Sequence, residues 1–188
     1  MGELLTQMAK ALATRESART WVAGLSNEDL ARAWAACPDG RALLRLAAPV
    51  VETKTLVRVA CACLRFALDR KKGHHRVRSA VKVLDQWTHG TVEWREVERA
   101  NAKATDDGKE LSDLTSALLA AASIPKDASR AQDVVAELSL ALSNDGEVHA
   151  AGMPAPPQKT RVAALAQLAG VVRAALPCPS RAALANGP

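Results

Sequence analysis

Apolar residues recur along this chain at i, i+3, i+4 and i+7 in one short segment after another, the spacing of helices that turn one face inward. Leu4, Leu5, Met8, Ala11 and Leu12 share the first such face. Ala18, Trp21, Val22 and Leu25 share the next, with Gly24 as its expected stop. Ser26, followed three residues on by Asp29, reads as an N-cap opening a helix faced by Leu30, Ala33, Trp34 and Cys37, and Pro38-Asp39-Gly40 reads as the end of that helix. A short helix through Leu43, Leu46 and Ala47 halts at Pro49. The most hydrophobic helix follows, about Lys54 to Asp69, with Thr53 as its expected cap. Lys54, Arg58, Arg65 and Asp69 form one narrow polar stripe along it, and Leu56, Val59, Ala60, Cys63, Leu64, Phe66 and Ala67 cover the rest. A helix so patterned must be packed on several sides, so it is expected to be central.

Beyond it, Val77, Ala80, Val81, Leu84 and Trp87 repeat on one face of a helix that ends at His89-Gly90, and Thr91 is expected to start another, with Trp94, Val97 and Ala104 inward. Arg95/Glu98 and Glu96/Arg99 on its outer side are i, i+3 pairs of a solvated face. Asp106-Asp107-Gly108 breaks the chain, and two strongly patterned helices follow, through Leu111, Leu114, Leu118 and Ala121, then Ala131, Val134, Val135, Leu138 and Leu142, joined near Pro125 and Asp127. The expected fold class is all-α, an array of about eight to ten short antiparallel helices, bundle or solenoid-like, without a fixed-period repeat. Residues 1–142 read as the helical domain and residues 143–159 as a Pro/Gly-rich linker separating off a C-terminal helix at 160–176. Residues 177–188 read as a frayed, disordered polar tail.

Composition agrees with the pattern. Of 188 residues, 48% are hydrophobic and 24% charged, well inside the folded range, but there is one Phe and no Tyr, so the apolar content favours helix over strand. The formal net charge of +5 leaves room for anionic partners without demanding nucleic acid. No apolar run is long enough for a membrane span, and the start lacks the charged and apolar regions of a secretory signal, so a cytoplasmic location without membrane contact is expected. Cys37, Cys61, Cys63 and Cys178 contain no CxxC pair and are expected to be reduced.

The densest charge feature runs from Arg70 to Arg78. Arg70, Lys71, Lys72, Arg76 and Arg78, with His74 and His75 between them, crowd a helix-to-helix turn. Such a cluster can grip phosphates or an acidic protein face, aided by the first amides of the following helix; the competing reading is a solvated loop. Arg58 and Arg65 flank Cys61 and Cys63 in sequence and could activate a thiol. Helical geometry turns Cys63 into the apolar side and leaves Cys61 at the edge of the arginine stripe, so both read as packing residues. His74, His75, His89 and Cys37 lack the paired spacing of a tetrahedral metal site, so neither metal nor cofactor is expected. The segment from Val77 to Ala104 has the size of a helix-turn-helix, but Glu93, Glu96 and Glu98 on its second helix would oppose entry into a phosphate-lined groove. Motifs of phosphate loops, serine hydrolases and zinc proteases do not occur, and a non-enzymatic role is the expectation.

One resemblance can be placed. Leu56-Val57-Arg58-Val59-Ala60-Cys61-Ala62-Cys63-Leu64-Arg65 resembles a family of uncharacterised bacterial helical domains, whose members carry an Ala-Cys-Ala-Cys run followed by arginine. Arg76, Ala80, Val81, Val83, Gly90, Glu96 and Ala100 continue the family's order downstream, and Trp34-Ala-Ala-Cys37-Pro-Asp39 is similar to its upstream Trp-x-x-Cys-x-Asp segment. The likeness spans Ser26 to Ala104. It departs in the basic turn and at the second cysteine, where many relatives have Cys-Cys. The layout is similar to that of helical immunity proteins of bacterial toxin systems. The family carries no established activity, but the layout it shares with immunity proteins implies a protein-binding module with a toxin or defence effector as partner; the basic cluster itself supplies the alternative, a nucleic-acid-associated protein gripping phosphates through Arg70–Arg78.

Overall fold

The computed structural model describes residues 2–105, 112–143 and 158–186, and every regular element among them is helical. In chain order these are α1 (Gly2–Ala11), α2 (Arg15–Ala23), α3 (Asn27–Ala36), α4 (Gly40–Ala47), α5 (Thr53–Arg70), α6 (His75–Thr88), α7 (Trp94–Thr105), α8 (Asp113–Ser123), α9 (Ala131–Ser143), α10 (Gln158–Ala175) and α11 (Arg181–Asn186), with a 3-10 turn, Ala128–Arg130, leading into α9. The all-α fold class read from the sequence is what the chain adopts.

Two helices form the axis of the molecule. α5 packs against α6, α8, α9 and α10, and α9 packs against α4, α5, α8 and α10. Leu56, Val57, Val59, Ala60, Cys61, Cys63, Leu64, Ala67 and Leu68 are therefore all buried on α5, which leaves Arg58, Arg65, Asp69 and Arg70 as its exposed ridge. α1, α2 and α3 pack together at one end, where α11 lies on α2, and α7 flanks α6 and α8. In a solenoid each unit meets only its chain neighbours. Here α10 lies against α4 and α5, and one apolar cluster runs from Met8 to Leu184, so the array is a bundle around a shared core.

Local chemistry sets most of the boundaries. Ser26 caps α3 as expected, its Oγ accepting from Asp29 N at 3.0 Å while it donates to the Asp29 carboxylate at 2.7 Å. Four arginines satisfy carbonyls that helix C-termini leave without an intrahelical donor. Arg45 donates to Leu12 O at 3.0 Å, Arg181 to Leu25 O at 2.7 Å, Arg173 to Cys37 O at 2.6 Å and Arg78 to Leu68 O at 2.7 Å. Each tie joins two elements, and the first three join segments far apart in the chain.

Several expectations need correction. Pro38-Asp39-Gly40 is not only an end: Asp39 caps α4, its carboxylate accepting from Arg41 N at 2.9 Å, and Gly40 is the first residue of that helix. α5 starts at Thr53 with Glu52 in the cap position, whose side chain makes no capping bond, so the Thr53 hydroxyl already lies inside the helix. Thr91 starts no helix. It closes the turn after α6 by donating to Gln86 O at 2.9 Å, and α7 begins at Trp94. Of the linker expected over 143–159, all but its ends lies outside the described residues. α10 itself is seated in the bundle, with Leu168, Ala169 and Val172 fully buried. The segment read as a frayed tail carries α11, because Leu184 finds an apolar place in the core cluster and Arg181 has the Leu25 carbonyl to bind.

Candidate functional site

The Arg70–Arg78 cluster forms the turn between α5 and α6. Gly73 allows the reversal with φ at +89°, a left-handed value costly for any residue with a Cβ. The cluster is less uniform than its sequence suggests. Arg70 is stacked on Phe66, its guanidinium carbon 3.5 Å from the ring centroid, and donates to Phe66 O. Arg78 bridges the hairpin through Leu68 O and an ion pair with Asp69 at 3.0 Å. His74 is half-buried, and burial, reinforced by the charge of Lys71, holds its imidazole below the usual histidine range. Lys72, His75 and Arg76 are exposed, Lys71 partly so. The structure thus brings the predicted residues to one end of one hairpin but commits Arg70 and Arg78 to holding it.

What the linear pattern did not join is the rest of the face. Because α5 and α6 run antiparallel, the polar stripe of one lies beside that of the other. Arg65, Leu68 and Asp69 from α5 and Arg78, Ser79, Val81 and Lys82 from α6 line a groove of about 440 Å³. Asp85 takes Arg65 in an ion pair at 2.5 Å and has the His89 ring nitrogen at 4.0 Å. Arg58, Lys72 and Lys82 form no ion pair among the described residues. The face is therefore basic, with carboxylates interleaved and each already engaged by an arginine. At its far end Trp87 and Trp94 meet edge to face, centroids 5.1 Å apart and planes at 70°, with the Lys54 ammonium 5.7 Å from the Trp87 ring and Trp94 Nε1 donating to Glu98 at 3.0 Å. The i, i+7 recurrence of Arg58 and Arg65, set against Lys82 and Asp85 at i, i+3, is the sequence signal from which this face could have been assembled.

The thiols belong to the core. Cys61 and Cys63 are fully buried, and burial pushes each thiol up to about 12; at Cys61 the charge of Asp85 adds to that and outweighs Arg65. Arginines adjacent in sequence thus do not activate them. Cys37 is also buried, donates to Asp39 O at 3.4 Å and has its thiol raised by burial. His74 and His75 sit at the opposite end of α6 from His89, and among the described residues no three His, Cys, Asp or Glu side chains converge as metal ligands. No helix among the described residues is long and apolar enough to cross a membrane. The chain matches no protein-family model, no curated protein and no solved structure.

Proposed function

We propose that this chain is a non-catalytic helical binding module that docks the α5–α6 face onto an acidic surface of another protein, in the manner of an accessory or immunity-like component of a bacterial conflict system. The observation that carries the reading is the groove in which Arg65, Arg78 and Lys82 converge from two helices, with the basic turn at one end and the Trp87–Trp94 pair at the other. Aromatic and arginine side chains are the residue types that most often anchor protein interfaces. The similarity of the helical layout to that of immunity proteins supports the conflict-system assignment.

The alternative is a nucleic-acid-associated protein that grips phosphates through Arg70–Arg78. Exposed Lys72, His75 and Arg76 favour it, as does an α6 N-terminus without a side-chain cap. Against it stand Asp69 in the groove, Asp85 paired with Arg65 on the same face, and Glu93, Glu96 and Glu98 on and beside α7, which would meet a phosphate backbone with repulsion. A protein surface of mixed charge can use both signs.

Affinity capture from the cell of origin, with the wild type and a Lys72→Glu/Lys82→Glu variant side by side, tests the proposal. A stoichiometric protein partner captured by the wild type and lost by the variant supports it. Binding to random-sequence DNA or RNA that falls steeply with salt and disappears in the variant would transfer the assignment to the alternative. Equal capture by both proteins refutes docking through this face.

A further inference from the structure

A cavity of about 480 Å³, sharing no lining residue with the α5–α6 groove, is formed where α2, α4, α11 and the turn before α9 meet. That volume falls within the range of roughly 300–1,000 Å³ usual for small-molecule sites. Leu12, Val22, Leu46 and Leu184 supply apolar walls, all of them buried side chains of the core cluster. The polar part of the lining is arranged about a cation. Arg45 is held on two sides, its Nε donating to Gln132 Oε1 at 2.7 Å and its Nη1 to Leu12 O at 3.0 Å. Arg19 also lines the space, and the lining carboxylate, Asp127, is occupied by Ser129 N at 2.9 Å, Ser129 Oγ at 2.7 Å and Arg130 Nε at 3.9 Å.

A held cation beside an apolar hollow favours a molecule with both characters. A neutral apolar molecule would leave Arg45, which forms no ion pair among the described residues, without a counter-charge, and a small inorganic anion would leave the leucine walls uncovered. We propose that this cavity is a binding site for an amphipathic organic anion, a carboxylate or sulfonate head on an apolar body, with the head on Arg45 and the body against Leu12, Val22, Leu46 and Leu184. Positioning of Arg45 by Gln132 and the Leu12 carbonyl removes much of the ordering cost that a mobile arginine would impose on the ligand. α11 is part of the site, since Leu184 forms one of its walls.

Two dyes of similar shape separate head from body: 8-anilinonaphthalene-1-sulfonate, which is anionic, and N-phenyl-1-naphthylamine, which is neutral. The full chain should bind the sulfonate saturably, one per chain, with a rise in fluorescence. Arg45→Met should weaken it about tenfold or more, the loss expected for a charged hydrogen-bonded contact, while leaving the neutral dye within about twofold. Ala18→Phe and, independently, Ala48→Phe should abolish both by filling the space, each with an unchanged far-ultraviolet spectrum as proof of folding. Lys82→Glu should change nothing. The proposal is overturned by absence of saturable binding, by sulfonate affinity indifferent to Arg45→Met or to both filling variants, or by loss of the dye in Lys82→Glu, which would put it on the α5–α6 face instead.

Discussion

Leu168→Ala asks whether α10 is an integral part of the bundle or an appendage. The side chain is fully buried on a helix that packs against α4, α5 and α9. Truncation removes three carbons from the core, about 2.4 kcal/mol of transfer free energy at roughly 0.8 kcal/mol per carbon, before any penalty for the space left behind. Leucine-to-alanine changes in close-packed cores cost about 2–5 kcal/mol in all, and a site ringed by three helix backbones has little room to collapse, so about 3–4 kcal/mol is expected. For a chain of this size each kcal/mol lowers Tm by about 2–4 °C, hence a fall of roughly 6–16 °C. The assay is urea unfolding followed in parallel by far-ultraviolet circular dichroism and by tryptophan fluorescence, which reports from helices other than α10. Exposed Gln167→Ala on the same helix should stay within about 0.5 kcal/mol of wild type. A loss below about 1 kcal/mol for Leu168→Ala, or a circular-dichroism transition that separates from the fluorescence one, would refute the placement of α10 in a shared core.

Four further outcomes follow from the packing and the ionisation described above. A Cβ built on Gly40 lies 3.2 Å from Ala169 N and 3.3 Å from both Leu168 C and Val135 Cγ1, so Gly40→Val must push α10 and α9 apart and should cost about 1–3 kcal/mol. Gly170→Ala, with open space around it, should gain up to about 1 kcal/mol, both being read from the same denaturation curves. Ellman's reagent at pH 8 should label Cys178, which is partly exposed, and leave Cys61 and Cys63 untouched until denaturant is added; prompt labelling of either would contradict thiols pushed up to about 12. For His74 the folded imidazole holds its proton less tightly than the unfolded one, so the unfolded state binds more protons as pH falls. The contribution of His74 to stability is thus complete above the unfolded value of about 6.5 and is lost as pH falls from there through the folded value. Nuclear magnetic resonance titration should place His74 below the usual histidine range, and His74→Gln should flatten the stability profile between pH 7 and 5.

The elements that local chemistry determines were legible in the sequence. The Ser26–Asp29 cap, the stripe of α5 and the paired patterns of α8 and α9 each rest on residues within one or two turns of each other, and periodicity carries that information. Elements decided by distant partners were not. Asp39-Gly40 has the composition of a break, yet the glycine is there because the α10 backbone passes within contact distance of where a Cβ would lie. Residues 177–186 look like a polar tail because what orders α11, the Leu25 carbonyl and a hollow for Leu184, is supplied by the other end of the chain. The candidate face divides the same way. The basic turn is contiguous and visible as a run, whereas the alignment of Arg65 with Asp85 and of Arg78 with Asp69 depends on the register of two antiparallel helices, which no local pattern states. Charge counting also misleads here, since Arg45, Arg78, Arg173 and Arg181 serve as carbonyl clamps and not simply as surface charge.

The edge-to-face indoles of Trp87 and Trp94 give the protein a built-in optical gauge. Transition dipoles 5.1 Å apart couple, and the sign and size of the resulting near-ultraviolet couplet depend on the angle between the rings. One ring belongs to α6 and the other to the first turn of α7, so a change of angle between those helices is written directly into that signal. Anything that seats on this end of the hairpin can be titrated in solution without attaching a label.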